Sequence, residues 1–340
     1  MRFFEHQQEA RSQTLRLLLL FAVTIVALVL AMNAALALVW QMASGALTGF
    51  SAWRGYPQHF FAVNTGVILL FVLGGWWLET SNLRGGGEKL ARRVGAREAW
   101  PASRDDEQRL CNIIDELAIA ASLKPPLAMV LPRVDSINAF AAGWDEGDAV
   151  VAVTQGALDR LTRDELMGLV AHEFSHIREG DIRLNMRLAG MVFGLEMLFN
   201  LGRTLCEPND AGRRTVVAIP GFAIEIVGSL GWLAGRVLKA AVSRQREFLA
   251  DARAVQFTRS RQGLAGVLRK IAQELDAAGG AARAGRSTAI VDPAVQHMLL
   301  VGTAADHRWF ASHPPLAERI RRIEGLSARP HTLPADTPTL

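Results

Sequence analysis

The sequence predicts a mainly α-helical, multi-pass membrane protein that also carries a small β-sheet, and three observations predict it. Half of the 340 residues are hydrophobic and only 21% are charged, which is more apolar material than one soluble core needs. Much of the excess sits in runs that reach the roughly 20 residues needed to cross a bilayer. Between those runs lie short β-branched segments and stretches with the periodicity of amphipathic helices.

The first run, residues 15–40 (LRLLLLFAVTIVALVLAMNAALALVW), contains a single charge, Arg16. It predicts a transmembrane helix, because the apolar part of a secretory signal peptide spans only about 7–15 residues. A second run, residues 60–78, closes on Trp76 and Trp77, side chains suited to the boundary between hydrocarbon and water. The two predict an N-terminal membrane region over residues 1–82. Their connecting loop holds Arg54 alone, whereas Arg84, Lys89, Arg92, Arg93, Arg97 and Arg104 follow the second run. Because Lys and Arg are retained on the cytoplasmic side, the N-terminal end and the region after the second run are expected in the cytoplasm, at the plasma (inner) membrane. The Gly- and Arg-rich stretch at residues 83–104 reads as a linker against anionic lipid.

A soluble part begins near Ser103. Leu110, Ile113, Ile114, Leu117 and Ala121 recur at helical spacing behind Asp105, Asp106 and Glu107, and Pro125 and Pro126 end the helix. LAMVLP (127–132), SINAFAAG (136–143) and DAVVAVTQG (148–156) follow as short strands, the last two joined across WDEGD. Thr162 with Glu165 matches a capping box, so a helix starts near Arg163 and runs to Gly180. Two apolar arms, residues 186–201 and 216–242, flank the polar EPNDAGRR as a helical hairpin. Glu196 and Glu225 on those arms are costly at membrane depth unless paired or wet, while basic feet (Arg178, Arg183 and Arg187; Lys239, Arg244 and Arg246) favour two spans. Spanning placement stands beside its alternative, a hairpin that lies in the interface or packs in a soluble core. Residues 327–340, rich in Pro and Thr, predict a disordered tail.

The net charge of +4 needs no nucleic acid, since the basic residues collect beside apolar runs without an aromatic-basic patch. Cys111 and Cys206 do not amount to a disulfide framework.

The chemistry concentrates in LVAHEFSHI, residues 169–177. Positions four apart on a helix return to nearly one face, so His172 and His176 can aim at a single point and chelate a metal. Glu173 lies about 100° round the helix, placed to take a proton from water at that metal. This is the HExxH pattern of zinc peptidases; the bland alternative is two ordinary histidines on an amphipathic helix. A catalytic zinc needs a third protein ligand and one open position. In SRQREFLADARAV, Glu247 and Asp251 are again four apart: Glu247 can bind the metal and Asp251 can hold the far nitrogen of a ligand histidine. Taken alone the pair also reads as surface carboxylates bridged to Arg244 or Arg253. Because one ligand helix enters the hairpin and the other leaves it, the hairpin would bring the ligands together near the bilayer.

In order, SINAFAAG, AHEFSHIREGDIRLN, REFLADARA and SHPPLAERI resemble the membrane zinc metallopeptidases that include the HtpX heat-shock protease and the CAAX prenyl proteases, with the pattern of spans closer to HtpX. The resemblance covers residues 83–326. It implies a cytoplasmic HExxH zincin-like domain of the gluzincin type, with one Zn2+ per chain held by His172, His176 and Glu247 and with Glu173 as general base. It further implies that His313 and Arg319 face the oxyanion of the tetrahedral intermediate; without it, His313 before two prolines reads as a capping or turn residue. The strand Asn138, Ala139, Phe140, Ala141, Ala142 and Gly143 resembles the edge to which an extended substrate adds by main-chain hydrogen bonds.

The expected function is a membrane-bound zinc endopeptidase acting on misfolded or membrane-associated proteins, with the bilayer and polypeptide substrates as partners and homo-oligomerisation open. Two alternatives stand beside it: a membrane chaperone or scaffold with a structural zinc, and a processing protease of the prenyl-protein type. Glu173 separates the first, because a structural site has no use for a base and closes its fourth position with a protein ligand.

Overall fold

Apolar runs without internal proline continue as unbroken helices. In the computed structural model, which describes residues 2–48, 55–208, 217–277, 295, 298–300 and 314–325, the first two are α1 (Arg2–Thr48) and α2 (Phe60–Leu83). Leu19, Leu30, Leu70 and Trp77 stay more than half exposed on them, a surface made for lipid rather than water.

The stretch read as a linker is instead part of the fold. Residues Gly86–Arg93 form the helix α3, and Arg97–Glu98 the short strand β1. Leu90 and Ala91 are buried, Arg93 donates to the buried Glu79 carboxylate at 2.8 Å, and Gly86 takes a φ of +79°. The glycines that suggested flexibility supply a left-handed turn and let α3 approach the Ala142 carbonyl, where a Cβ on Gly87 would collide.

Next come α4 (Asp105–Ala121), β2 (Leu127–Leu131), β3 (Ala139–Ala142), β4 (Val150–Thr154) and α5 (Gln155–Arg160). The apolar stripe of α4 is buried as its spacing predicts. The sheet has the order β1-β2-β4-β3: β2 and β4 are parallel, and β3 turns back antiparallel across WDEGD. Side chains alternate between its faces. Ala139, Ala141, Val151 and Val153 join the core around α4. Phe140, Ala142, Val150 and Ala152 pack on the other face, towards Leu83, Leu90, Met298 and Leu299. Strand β3 is an edge.

The helix α6 (Arg163–Arg178) starts at the predicted capping box, with Thr162 and Glu165 each bonding the other's backbone. Gly180, at φ +75°, turns the chain into α7 (Asp181–Cys206), and α8 (Ala218–Thr258) returns. The arms are longer than the apolar runs, and α8 continues without a break through Glu247 and Asp251 because residues 236–258 hold neither Gly nor Pro. Leu188, Met191, Leu195 and Leu198 of α7 pack against Leu28, Met32, Ile68 and Val72. Small residues allow that closeness: a Cβ on Gly228 would stand 2.6 Å from the Phe199 nitrogen. By length and composition Leu17–Ala46, Phe60–Leu83 and Ala218–Lys239 could each cross a membrane, and α7 is not among them. The helices α9 (Gln262–Ala277) and α10 (Leu316–Gly325) complete the described chain. Residues 327–340, expected to be a disordered tail, lie outside the described residues.

Candidate metal centre

The α6 helix is buried on nearly all sides at its C-terminal half, so His172 and Glu173 are only 1% exposed. Polar groups buried to that depth require partners. His172 Nδ1 lies 3.1 Å from Asp251 Oδ1, and His176 Nδ1 lies 2.9 Å from Asp181 Oδ2. A carboxylate at Nδ1 holds the proton there, which leaves the Nε2 lone pair of each ring free. Those two Nε2 atoms stand 3.2 Å apart. Glu247 completes the cluster, with oxygens 3.7 Å from His172 Nε2 and 3.6 Å from His176 Nε2.

Three lone-pair donors facing one point repel each other unless a cation lies between them. His172, His176 and Glu247 offer ligand atoms all within 4.8 Å of one another. A tetrahedral ion bound at about 2.0–2.1 Å holds two nitrogens about 3.3 Å apart, close to the observed separation. The donor set of two neutral imidazoles and a carboxylate therefore fits a divalent metal.

Glu173 sits beside this cluster. Neither carboxylate oxygen makes a full hydrogen bond, although the Ala141 N–H of β3 is near enough to favour the ionised form. Burial pushes its pKa up to about 7. Burial also lowers that of His172, against the opposing pull of Asp251, and so keeps the ring neutral as a ligand must be. For Asp251 burial acts upwards, but the Arg319 charge and the bonds from Arg319 and His172 outweigh it and hold the carboxyl below its usual range.

Arg319, fully buried on α10, makes a two-pronged pair with Asp251, Nε to Oδ2 at 2.9 Å and Nη2 to Oδ1 at 2.7 Å. Its Nη1 stands 3.2 Å from Glu247 Oε2 and donates to the Leu300 carbonyl at 3.1 Å. The arginine is thus tied to the carboxylates of Asp251 and Glu247 and to one main-chain carbonyl. His313, its expected companion, lies outside the described residues. Asn138 is buried, accepts from the Ala139 N–H through Oδ1 at 3.0 Å, and opens the β3 edge that continues to Gly143.

Sequence reading missed Asp181. It is the first residue of α7, it orients His176, and it is itself paired with Arg246 of α8. Its signal was an acid directly after a helix-ending glycine, one turn beyond the second histidine.

Residues 104–327 match the model of Peptidase family M48. A protease HtpX homolog of Dictyoglomus turgidum is 36% identical over 246 residues, 71% of this chain and 76% of that protein. Those of Ligilactobacillus salivarius and Thermoanaerobacter pseudethanolicus are each 31% identical, over 82% and 77% of this chain and 90% and 85% of their own length. With a His-His-Glu cluster that fits a metal and helices long and apolar enough for a bilayer, the chain is a membrane metalloprotease, and it belongs to peptidase family M48.

Proposed function

We propose that this protein is a zinc-dependent endopeptidase of the plasma membrane, its site on the cytoplasmic side, cutting misfolded or membrane-associated polypeptides. The observation that carries the reading is the pair of buried Nε2 atoms 3.2 Å apart, each ring anchored by a carboxylate at Nδ1, with Glu173 beside them. One Zn2+ per chain, held by His172, His176 and Glu247, would supply Lewis acidity towards the scissile carbonyl and lower the pKa of water to about 7.

The remaining steps belong to the protein's own groups. The substrate adds as an extended strand to Asn138–Gly143, which sets its scissile carbonyl against α6. Glu173, whose pKa of about 7 suits a base at neutral pH, accepts the proton of the attacking water and returns it to the leaving amine. Arg319, with His313, stabilises the negative charge that develops on the carbonyl oxygen. What supports that role for Arg319 is that its Nη1 already donates to a main-chain carbonyl next to the ligands. Asp251 and Asp181 hold the imidazoles in register. A buried carboxylate left without a full hydrogen bond speaks against a purely structural metal site. The relatives named above are proteases, which speaks against a scaffold. Substrates drawn from membrane proteins, and assembly into a homo-oligomer, are consistent with this reading.

The test is cleavage of a fluorogenic peptide by the full chain in lipid nanodiscs, with and without chelator, beside Glu173→Gln. The variant is expected to retain the metal while cleaving about 10²–10⁴-fold more slowly. Wild-type rates from a metal-loaded Glu173→Gln protein would refute the assignment of the base.

A further inference from the structure

The outer edge of β3 already carries a backbone hydrogen bond from Leu300. Antiparallel partners alternate between bonded and non-bonded pairs. The Thr154 N–H donates to the Asn138 carbonyl at 3.1 Å, so Asn138, Phe140 and Ala142 turn their backbone groups towards β4, while Ala139 and Ala141 turn theirs outward. The Ala141 N–H faces Glu173. The Ala139 carbonyl, however, accepts from the Leu300 N–H at 3.2 Å. On the far side, the Leu300 carbonyl accepts from Arg319 Nη1 at 3.1 Å.

Leu300 is therefore bound through both backbone groups, one to the strand edge and one to the arginine that borders the metal ligands. Its neighbours are anchored by apolar burial: Met298 is 6% and Leu299 3% exposed, and both pack with Phe140, Ala142, Met186 and Ala189. Leu300 itself joins the opposite core, with Ala139, Ala141 and Ile323. An extended apolar peptide seated on this edge would use the same acceptor, the same donor and the same apolar wall.

We infer that Met298–Leu300, a turn whose Met298 N–H bonds back to the Val295 carbonyl at 2.8 Å, is a built-in occupant of the substrate edge through Leu300, and that the edge takes extended apolar chain, which must displace this segment to be cut. The inference rests on the proposed reading of β3 as the substrate strand. An internal competitor reduces apparent affinity by the fraction of molecules in which the edge is open. Releasing it lowers KM while leaving kcat and metal content alone.

Two variants test this in the full chain in nanodiscs. Leu300→Pro deletes the donor to Ala139, and the pair Met298→Ser with Leu299→Ser weakens the apolar anchor while keeping every backbone group. With a fluorogenic apolar peptide, both are expected to lower KM by about tenfold at unchanged zinc content. The synthetic peptide acetyl-VQHMLLVG-amide should inhibit both variants more strongly than wild type. Hydrogen exchange covers the case in which a variant fails to fold: the Leu300 amide should be protected in otherwise native Glu173→Gln protein and lose that protection when the substrate peptide saturates it. An unchanged KM in folded variants, or protection of Leu300 that persists at saturation, overturns the occupant and leaves the peptidase reading intact. Absence of chelator-sensitive cleavage by wild type overturns both.

Discussion

Asp181 shows how much a residue outside the HExxH pattern contributes to it. Its carboxylate receives His176 Nδ1 at 2.9 Å and pairs with Arg246 of α8, so it fixes the tautomer of a proposed ligand and ties it to the helix that carries Glu247. Replacing it as Asp181→Asn keeps the shape and drops the charge. Metal affinity, measured by competition with a chelator, should fall about 10–100-fold; an unchanged affinity would mean that His176 needs no such support. Glu107 makes a second case, away from the site. It is fully buried, accepts from Arg97 at 2.6 and 2.9 Å and from the Trp100 N–H at 2.6 Å, and thereby fastens β1 to α4. The hydrogen bonds from Arg97, which outweigh burial, hold its pKa below the usual carboxylate value. A depressed folded pKa means that the stabilisation is present above the unfolded pKa, about 4.3, and is lost as the pH falls through the folded value. Glu107→Gln should thus destabilise the protein at pH 7, by about 1–3 kcal/mol for charged hydrogen bonds lost at a partly exposed arginine, and flatten the loss of stability on acidification. Thermal unfolding between pH 7 and pH 3 reads both.

At the scale of elements, α8 matters most. One unbroken helix provides a membrane-crossing candidate (Ala218–Lys239) and then Glu247 and Asp251, so the packing of the apolar arm sets where Glu247, the proposed third ligand, stands. That packing depends on close approach to α7. The change Gly228→Val would push a side chain into the Phe199 backbone, at a cost of about 1–3 kcal/mol typical of overpacking. It should also weaken metal retention, although Gly228 lies five turns from Glu247. Unfolding and chelator competition in nanodiscs measure the two effects; loss of stability with no change in metal affinity would show that the arm and the ligand segment move independently. The sheet contributes in another way. Its edge strand runs beside α6, and the Ala141 N–H faces Glu173 while the Ala139 carbonyl meets Leu300 only because the β3–β4 register is as observed.

For the whole molecule, a metal held by the cluster of carboxylates and imidazoles would couple binding to folding. Residues from α6, α7, α8 and α10 meet there, and an ion that binds the folded chain alone stabilises it by mass action, by about 4 kcal/mol at a thousand times its Kd. Chelation should accordingly lower Tm, and zinc should restore it. A Tm insensitive to both would argue that the four helices are held without the ion.

Much of this was legible before any coordinates. The apolar stripe of α4, the capping box of α6, the β3–β4 turn and the spacing of His172, Glu173, His176, Glu247 and Asp251 are local patterns, because helical and strand periods place side chains within a few residues of each other. Residues 83–104 misled because glycine-rich composition looks the same in a flexible linker and in a tight turn that packs. Tertiary structure alone decided that Asp181 and Arg246 meet, that Arg319 closes on Asp251 and Glu247, and that Leu300 lies on the edge of β3. Each of those contacts joins positions far apart along the chain or across an irregular turn, where no period links them and only the packing of the helices brings them within reach.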